Sequence, residues 1–221
     1  MTIADRCGYL REVVGPLLSQ WPNNRTVNIV SHGHSVPAGY FATPMVDTFN
    51  AYPALLHREL KHRFPFAVIN VIVTAIGGEG SPQGAARFEA DVLSHRPDVV
   101  TIDYGLNDRR AGLTEAETAW RSMIEAGRAR QVKVLLLTPT WDNTWVVDGA
   151  GEAWRDLERH ADQIRRLAAE YEVGLADSFA AFESYVAAGG DPTDLLSWSN
   201  HPNRQGHELV ARGLLRWFVI S

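Results

Sequence analysis

The sequence contains 221 residues, of which 45% are hydrophobic and 21% are charged, a composition that supports one α/β domain with a sizeable core, and we expect that domain to span residues 1–221. The formal net charge is −5 and the basic residues are scattered among acidic ones, which argues against nucleic acid and anionic membranes as partners. A small-molecule partner fits this charge better, and the composition leaves the oligomeric state open.

Amphipathic and apolar segments alternate along the chain. The first segment, 3–18, has its apolar residues at helical spacing. Five apolar runs predict strands, at 27–35, 68–73, 99–104, 132–137 and 173–177. The first run ends in a bend, and the second is typical of a strand buried on both faces. Further helices are predicted over 52–64, 85–93, 114–130, 152–171, 179–188 and from just after Asn203. This alternation predicts a mostly parallel five-stranded sheet with helices on both faces.

The bend that ends the first apolar run contains a serine. Gly33 permits a sharp turn, and Pro37 and Gly39 stop regular structure beyond it, so Ser35 is held at the exit of the strand. Ligands of open α/β sheets bind beyond the carboxyl ends of the strands. Ser35 is therefore a candidate nucleophile, and the alternative is an ordinary serine in a turn or at a helix N-cap.

Cysteine content and the N-terminal segment indicate the compartment. The single cysteine, Cys7, excludes an internal disulfide framework and a cysteine-based zinc site, which is compatible with a reducing compartment. Charged residues interrupt the N-terminal segment, and no uncharged run reaches the length of a signal core or a membrane span. We therefore expect a cytoplasmic protein.

Four stretches at strand ends and in loops follow one another in a recognisable order. They are Gly33-His34-Ser35, Gly78, the Gly-Leu-Asn-Asp segment 105–108, and the His-Pro-Asn segment 201–203 with Gly206 after it. In this order they resemble the four blocks of the SGNH hydrolases, the GDSL-like esterase and lipase family. The resemblance covers most of the chain and implies a flavodoxin-like three-layer α/β/α fold.

The resemblance implies a chemical role for one residue or more of each block. It implies that Ser35 is the nucleophile and that His201, a residue type with an unperturbed pKa near 6.5, is the base. It also implies three donors to an oxyanion, namely the backbone N–H groups of Ser35 and Gly78 and the side-chain amide of Asn107. Structural roles are the alternative for each: Gly78 as a strand end, Asn107 as a turn residue and His201 as a loop histidine.

Two positions depart from the family pattern. His34 stands where the family has the aspartate of its Gly-Asp-Ser block, and Trp198 stands three residues before His201, where the family has the acid. A neutral imidazole still needs a group that holds its ring. The candidates are the backbone carbonyl of Trp198 and the carboxylate of Asp194, and we favour the carbonyl. The expected arrangement is a Ser–His dyad with a backbone acceptor.

A His-x-His pair raises the question of a metal. On a strand, His32 and His34 would place both imidazoles on one face, as in a metal site. No third ligand lies at a spacing typical of such a site. We therefore predict no metal, and the serine chemistry implied by the resemblance needs no cofactor.

Aromatic residues bear on the substrate. Tyr40, Trp141 and Trp198 are the predicted substrate-binding residues, because aromatic walls suit a sugar. We expect a serine-dependent hydrolase of short acyl esters, acetyl esters first, with a small-molecule or carbohydrate ester as substrate. An acyltransferase that uses the same acyl-serine and a weakened carbohydrate-binding or small-ligand-binding domain are the alternatives.

Overall fold

A five-stranded sheet forms the centre of the computed structural model, which describes residues 2–220. Its strands are β1 (Thr26–Gly33), β2 (Val68–Val73), β3 (Val99–Asp103), β4 (Lys133–Leu137) and β5 (Gly174–Ala176). Their order is β2-β1-β3-β4-β5, and each neighbouring pair is parallel. Met1 and Ser221, the ends of the predicted domain, lie outside the described residues. Strand order and pairing confirm the predicted α/β three-layer fold.

Helices cover both faces of the sheet. Within residues 2–220 the α-helices are α1 (Arg11–Leu18), α2 (Ser35–Ala38), α3 (Tyr52–Arg63), α4 (Ser81–Asp91), α5 (Leu113–Ala129), α6 (Thr144–Asp148), α7 (Glu152–Glu170), α8 (Ser178–Ala187) and α9 (Arg204–Leu215). One apolar core includes residues of α1, α3, α8 and α9, a second includes residues of α4 and α5, and α7 contributes to both. No helix in this part of the chain is long and apolar enough to cross a membrane.

The position of a strand in the sheet decides how it is buried. In β1, Ile29 belongs to one core and the next residue, Val30, to the other, because successive side chains of a strand point to opposite faces. In the edge strand β2, by contrast, Val68 is 47% exposed and Val73 is 38% exposed. The prediction that 68–73 is buried on both faces is therefore wrong, since an apolar run does not reveal its place in the sheet.

Two helices differ from the sequence-based expectation. α1 begins at Arg11 rather than at Ile3, since turns occupy residues 6–10 and the Asp5 carboxylate accepts the N–H of Cys7. The helix α2, directly after β1, was expected to be a bend without regular structure. It has four residues, which is too short for any helical periodicity to appear in the sequence.

A buried carboxylate after β3 connects two helices of the second core. Asp108 accepts the backbone N–H of Ser81, at the start of α4, and the indole N–H of Trp120, in α5, each at 2.7 Å. Burial raises the pKa of Asp108, and these two hydrogen bonds oppose that shift. The last residue of the Gly-Leu-Asn-Asp segment therefore has a structural role.

We expect Asp108→Asn to lower the free energy of unfolding by about 1–3 kcal/mol, because asparagine has one acceptor oxygen and would turn its NH₂ group toward one of the two donors. Urea denaturation measures this change. The matched control is Asp162→Asn, whose side chain is 72% exposed and whose effect should stay within about 0.5 kcal/mol. Equal losses in the two variants would contradict the structural role of Asp108.

Candidate active site

The serine of the first block opens α2 at the carboxyl end of the sheet. Ser35 is the first residue of that helix and is 6% exposed. Its N–H is one of the first amides of a helix, which have no intrahelical acceptor. A Cβ on Gly33 would lie 2.4 Å from the carbonyl oxygen of Asp103 and 2.8 Å from the Pro37 ring. Only glycine therefore fits at this close approach of β1 and β3.

The structure brings the serine hydroxyl and the predicted base together. The Nε2 atom of His201 lies 3.0 Å from Oγ of Ser35, and its Nδ1 atom lies 2.8 Å from the carbonyl oxygen of Phe41. A carbonyl oxygen only accepts, so Nδ1 carries the hydrogen and Nε2 presents its lone pair to the hydroxyl. Burial lowers the pKa of His201 from its ordinary value of 6.5, which favours the neutral imidazole that a base requires.

The acceptor at His201 is not the one predicted. The backbone N–H of Trp198 donates to the carbonyl oxygen of His201, at 3.4 Å, and the Asp194 carboxylate accepts the hydroxyl of Tyr185, at 3.0 Å. A backbone carbonyl does contact Nδ1, but it belongs to Phe41. The assignment to Trp198 is therefore wrong, because the loop before the histidine turns its amide, not its carbonyl, toward that residue.

Packing fixes the carbonyl of Phe41. The backbone N–H of Phe41 donates to the carbonyl oxygen of Met45 at 3.0 Å, and its ring lies 5.1 Å from the fully buried ring of His207. The Nδ1 atom of His207 accepts the backbone N–H of Tyr52, which opens α3. No sequence pattern could have identified Phe41, since every residue has a backbone carbonyl and 160 positions separate it from His201.

The two other predicted oxyanion donors lie on one cavity. Gly78 and Asn107 line a space of about 270 Å³ at the carboxyl end of β3. Gly78 has φ +85°, a left-handed conformation that favours glycine, and the residue is exposed to solvent. The side-chain amide of Asn107 donates one hydrogen to the carbonyl oxygen of Glu79 at 2.8 Å. Its second amide hydrogen is the one that could meet a ligand.

A chain of polar contacts holds the loop that carries Gly78. The Glu79 carboxylate accepts two hydrogen bonds from the guanidinium of Arg87, at 2.7 and 2.9 Å. The same guanidinium donates to the hydroxyl of Tyr104 at 3.2 Å, and that hydroxyl lies 3.1 Å from Nε2 of His32. The loop is thereby tied through α4 to the carboxyl ends of β1 and β3.

Both ring nitrogens of His32 are engaged within the protein. Its Nδ1 atom lies 2.9 Å from Oγ1 of Thr74, and its Nε2 atom lies 3.1 Å from the carbonyl oxygen of Gly84. Across residues 2–220, no group of three or more histidine, cysteine, aspartate or glutamate side chains could hold a metal ion. The ring of His32 is thus held on both sides by groups of the protein.

The predicted aromatic residues have different degrees of exposure. Tyr40 is half-buried, and its ring centroid lies 6.0 Å from that of His201. Trp198 is 56% exposed. Trp141, in contrast, is buried against Trp154, with ring centroids 4.6 Å apart. Its prediction as a substrate-binding wall is corrected to that of a core residue, because partners distant in sequence cover its ring.

The exposed tryptophan of this region is a neighbour of Trp141. Trp145 is 37% exposed and packs on Trp154, with ring centroids 5.1 Å apart. The start of its helix, α6, is joined to the loop of the histidine block, because the N–H of Asn143 donates to the carbonyl oxygen of Ser199 at 2.7 Å. Trp145 is therefore the ring of this pair that a ligand can reach.

Fold and site together are those of a hydrolase family. The model of the GDSL-like lipase/acylhydrolase family matches residues 32–209, a span that includes all four blocks. The chain belongs to that family, and it is a carboxylic ester hydrolase of the SGNH type.

Individual relatives agree with this assignment. The chain is 26% identical to an acetylxylan esterase of Geobacillus stearothermophilus, over 86% of this chain and 89% of that protein. It is 32% identical to the esterase TesA of Pseudomonas aeruginosa, over 55% of this chain and 57% of that protein.

Solved structures share the fold. Axe2, an acetylxylan esterase from Geobacillus stearothermophilus, superposes with a TM-score of 0.75 at 22% identity, covering 92% of this chain and 97% of that one. LAE5, an α/β hydrolase from the metagenome of Lake Arreo in Spain, superposes with a TM-score of 0.73 at 23% identity, covering 87% of this chain and 94% of that one.

Buried histidines make the stability of this fold depend on pH. Burial lowers the pKa of His32 to about 4 and that of His207 to about 3, whereas both titrate near 6.5 in the unfolded chain. Below pH 6.5 the unfolded chain therefore binds more protons than the folded one. The free energy of unfolding must fall as the pH is lowered from about 6.5 toward these folded values.

We expect His207→Asn to reduce this pH dependence by up to about 1.4 kcal/mol per pH unit, because asparagine can accept the N–H of Tyr52 and binds no proton. Urea denaturation at about pH 5 and about pH 7 measures the slope. In the control His62→Asn, whose parent side chain is 68% exposed, the slope should not change. An unchanged slope in His207→Asn would contradict a buried neutral imidazole.

Proposed function

We propose that the protein hydrolyses acetyl and other short acyl esters of carbohydrates through an acyl-enzyme on Ser35. One observation carries the proposal: Nε2 of His201 lies 3.0 Å from the hydroxyl, while Nδ1 is fixed by the carbonyl oxygen of Phe41. The acetylxylan esterase relative supports the substrate class. Structures of Axe2 have been solved for catalytic mutants in which a serine, a histidine or an aspartate is replaced by alanine. These mutants support catalytic roles for a serine and a histidine in this chain as well.

The first half of the reaction forms the acyl-serine. His201 takes the hydroxyl proton at Nε2 while Oγ of Ser35 attacks the acyl carbon and forms the C–O bond. The carbonyl oxygen becomes an oxyanion that accepts from the N–H groups of Ser35 and Gly78 and from the Asn107 amide. When the intermediate collapses, the bond to the alcohol breaks and the leaving oxygen takes the proton from His201.

The second half releases the acid. A water molecule gives a proton to Nε2 of His201 and attacks the acyl carbon, through the same oxyanion contacts. Collapse then breaks the bond to Oγ of Ser35, which recovers the proton from His201. The products are the alcohol and the carboxylic acid, and the free serine is regenerated.

Limited access to the reacting groups supports a short acyl chain. Ser35 and His201 are each 6% exposed, and Asn107 is 8% exposed, so little of these reacting groups is open to solvent. The alcohol side of the substrate is less confined, because Trp145 in α6 and Trp198 are both exposed, and the residue before α6 is hydrogen-bonded to the loop that contains Trp198. Exposed indole rings can pack against the apolar faces of sugar rings.

We expect Ser35→Ala to abolish hydrolysis of an activated acetyl ester and to abolish the single adduct that a serine-reactive phosphonate gives by intact mass. Asn107→Ala should lower kcat by about 100- to 1,000-fold with little change in KM, because it removes one oxyanion donor. In the control Asp194→Asn, activity should persist, because that carboxylate contacts Tyr185 rather than His201. If Asp194→Asn were as inactive as Ser35→Ala while folded, the backbone acceptor would be refuted.

We expect kcat/KM to be higher for an acetyl ester than for the octanoyl ester of the same alcohol, by about tenfold or more, because the longer chain has to be accommodated beside nearly buried reacting groups. A chain-length series of activated esters, followed by acetylated xylo-oligosaccharides, tests acyl group and alcohol separately. A steep preference for long chains would contradict the acyl-group proposal. Acyl transfer to added sugars in excess of hydrolysis would favour the acyltransferase.

A further inference from the structure

His34, the residue that departs from the family's Gly-Asp-Ser, is buried beside the serine and is 1% exposed. Its Nδ1 atom lies 3.2 Å from the backbone nitrogen of Val36, in the first turn of α2. Its Nε2 atom lies 3.5 Å from Oδ1 of Asp103, at the end of β3, which is a charge contact without hydrogen-bond geometry. Its backbone N–H donates to the carbonyl oxygen of Asp103 at 3.2 Å. The imidazole thus caps the turn that holds Ser35 and lies against the end of the neighbouring strand.

The partners of the ring determine which nitrogen is protonated. A backbone N–H can only donate, so Nδ1 of His34 must present its lone pair to Val36. The proton of the neutral ring then lies on Nε2, which faces the carboxylate of Asp103. His201 has the opposite arrangement, because its Nδ1 atom donates to the carbonyl of Phe41. The two imidazoles on either side of the serine are therefore opposite tautomers.

The nucleophile's turn is short, and backbone hydrogen bonds such as that from the N–H of Tyr40 to the carbonyl oxygen of Ser35, at 3.0 Å, also hold it. The helix α2 has only four residues, so it lacks the continuous hydrogen bonding that stabilises longer helices. At its C-terminal end Gly39 adopts φ +92°. At its N-terminal end the only side-chain cap is His34, through Val36. Aspartate, the residue type of the family's block, is a common N-cap, and a histidine can replace its oxygen only with a bare Nδ1.

We propose that His34 is a positioning residue for the nucleophile, and that Asp103 holds His34 in the tautomer which caps the turn of Ser35. The inference rests on the proposed function of Ser35. His34 is not a second base: its Nδ1 atom lies 3.4 Å from Oγ, farther than His201, and its lone pair is already engaged by Val36. The histidine in place of the family's aspartate and the carboxylate of Asp103 therefore act together to hold the turn.

¹⁵N NMR of the imidazole rings, recorded with both rings neutral, tests the tautomers without any turnover. We expect His34 to have a bare Nδ1 and a protonated Nε2, and His201 to have the reverse, with signals assigned by their loss in His34→Asn and His201→Asn. In Asp103→Asn, a side-chain amide can donate to Nε2 of His34, so the Nδ1-protonated form should appear. A protonated Nδ1 on His34 in the wild type would overturn the proposal.

Two substitutions of His34 separate its contacts. Asparagine places an oxygen near the position of Nδ1, whereas glutamine reaches toward Asp103 and has no acceptor near Val36. We expect His34→Asn to retain kcat and His34→Gln to lose about 10- to 100-fold in kcat with KM unchanged, because the cap holds the attacking atom in place. Full activity in His34→Gln, or a loss in His34→Asn equal to that in His34→Gln, would refute the capping role.

The rate of Ser35 modification by a serine-reactive phosphonate provides a second readout that does not need an ester substrate. It should follow the same order, with His34→Asn close to wild type and His34→Gln slower. If the folded wild type neither hydrolyses esters nor forms the adduct, the proposed function fails, while the NMR tautomers still decide the arrangement of His34. If the wild type is active but the tautomers are reversed, only the role of His34 fails.

Discussion

The hydrogen bond from Nδ1 of His201 to the carbonyl oxygen of Phe41 is the contact on which the site depends. It fixes the tautomer, and the tautomer decides that Nε2 faces the hydroxyl of Ser35 with a lone pair. Because Phe41 packs on His207, which in turn accepts the N–H that opens α3, the orientation of the base rests on the first apolar core. The geometry of the site at the carboxyl ends of the strands therefore depends on packing in the interior.

A carbonyl and a carboxylate hold an imidazole with different energies. Both accept the Nδ1 hydrogen, but only the carboxylate adds a full negative charge that stabilises the imidazolium formed during the reaction. At His201 burial dominates and lowers the pKa, while the Phe41 carbonyl opposes it only in part. The buried carboxylate of Asp103 lies on the other side of the serine, against His34. In the proposed arrangement, the nearby negative charge of Asp103 supports the turn of Ser35, whereas His201 has a neutral carbonyl as its partner.

Sequence patterns predicted the strands and the loops that carry the candidate residues, because apolar runs and glycine-containing bends leave signals in residue type. They could not predict that 68–73 lies at an edge, since hydrophobicity alone does not order strands. Burial of Trp141 depends on Trp154, a neighbour that only the folded chain brings near. The roles of Ser35 and His201 came from motif order, and their 3.0 Å contact is a feature of the structure that no spacing specifies.

A backbone acceptor gives the segment around Phe41 an unusual kind of mutational tolerance. Replacing the residue cannot delete the atom that His201 contacts, whereas inserting or removing one residue between Gly39 and Met45 would shift that atom out of register. The contact therefore depends on the length of the loop and on the packing of the Phe41 ring against His207, rather than on a functional group of the residue that provides the acceptor. Substitutions that preserve this packing would leave the acceptor in place, whereas a change in loop length would remove it.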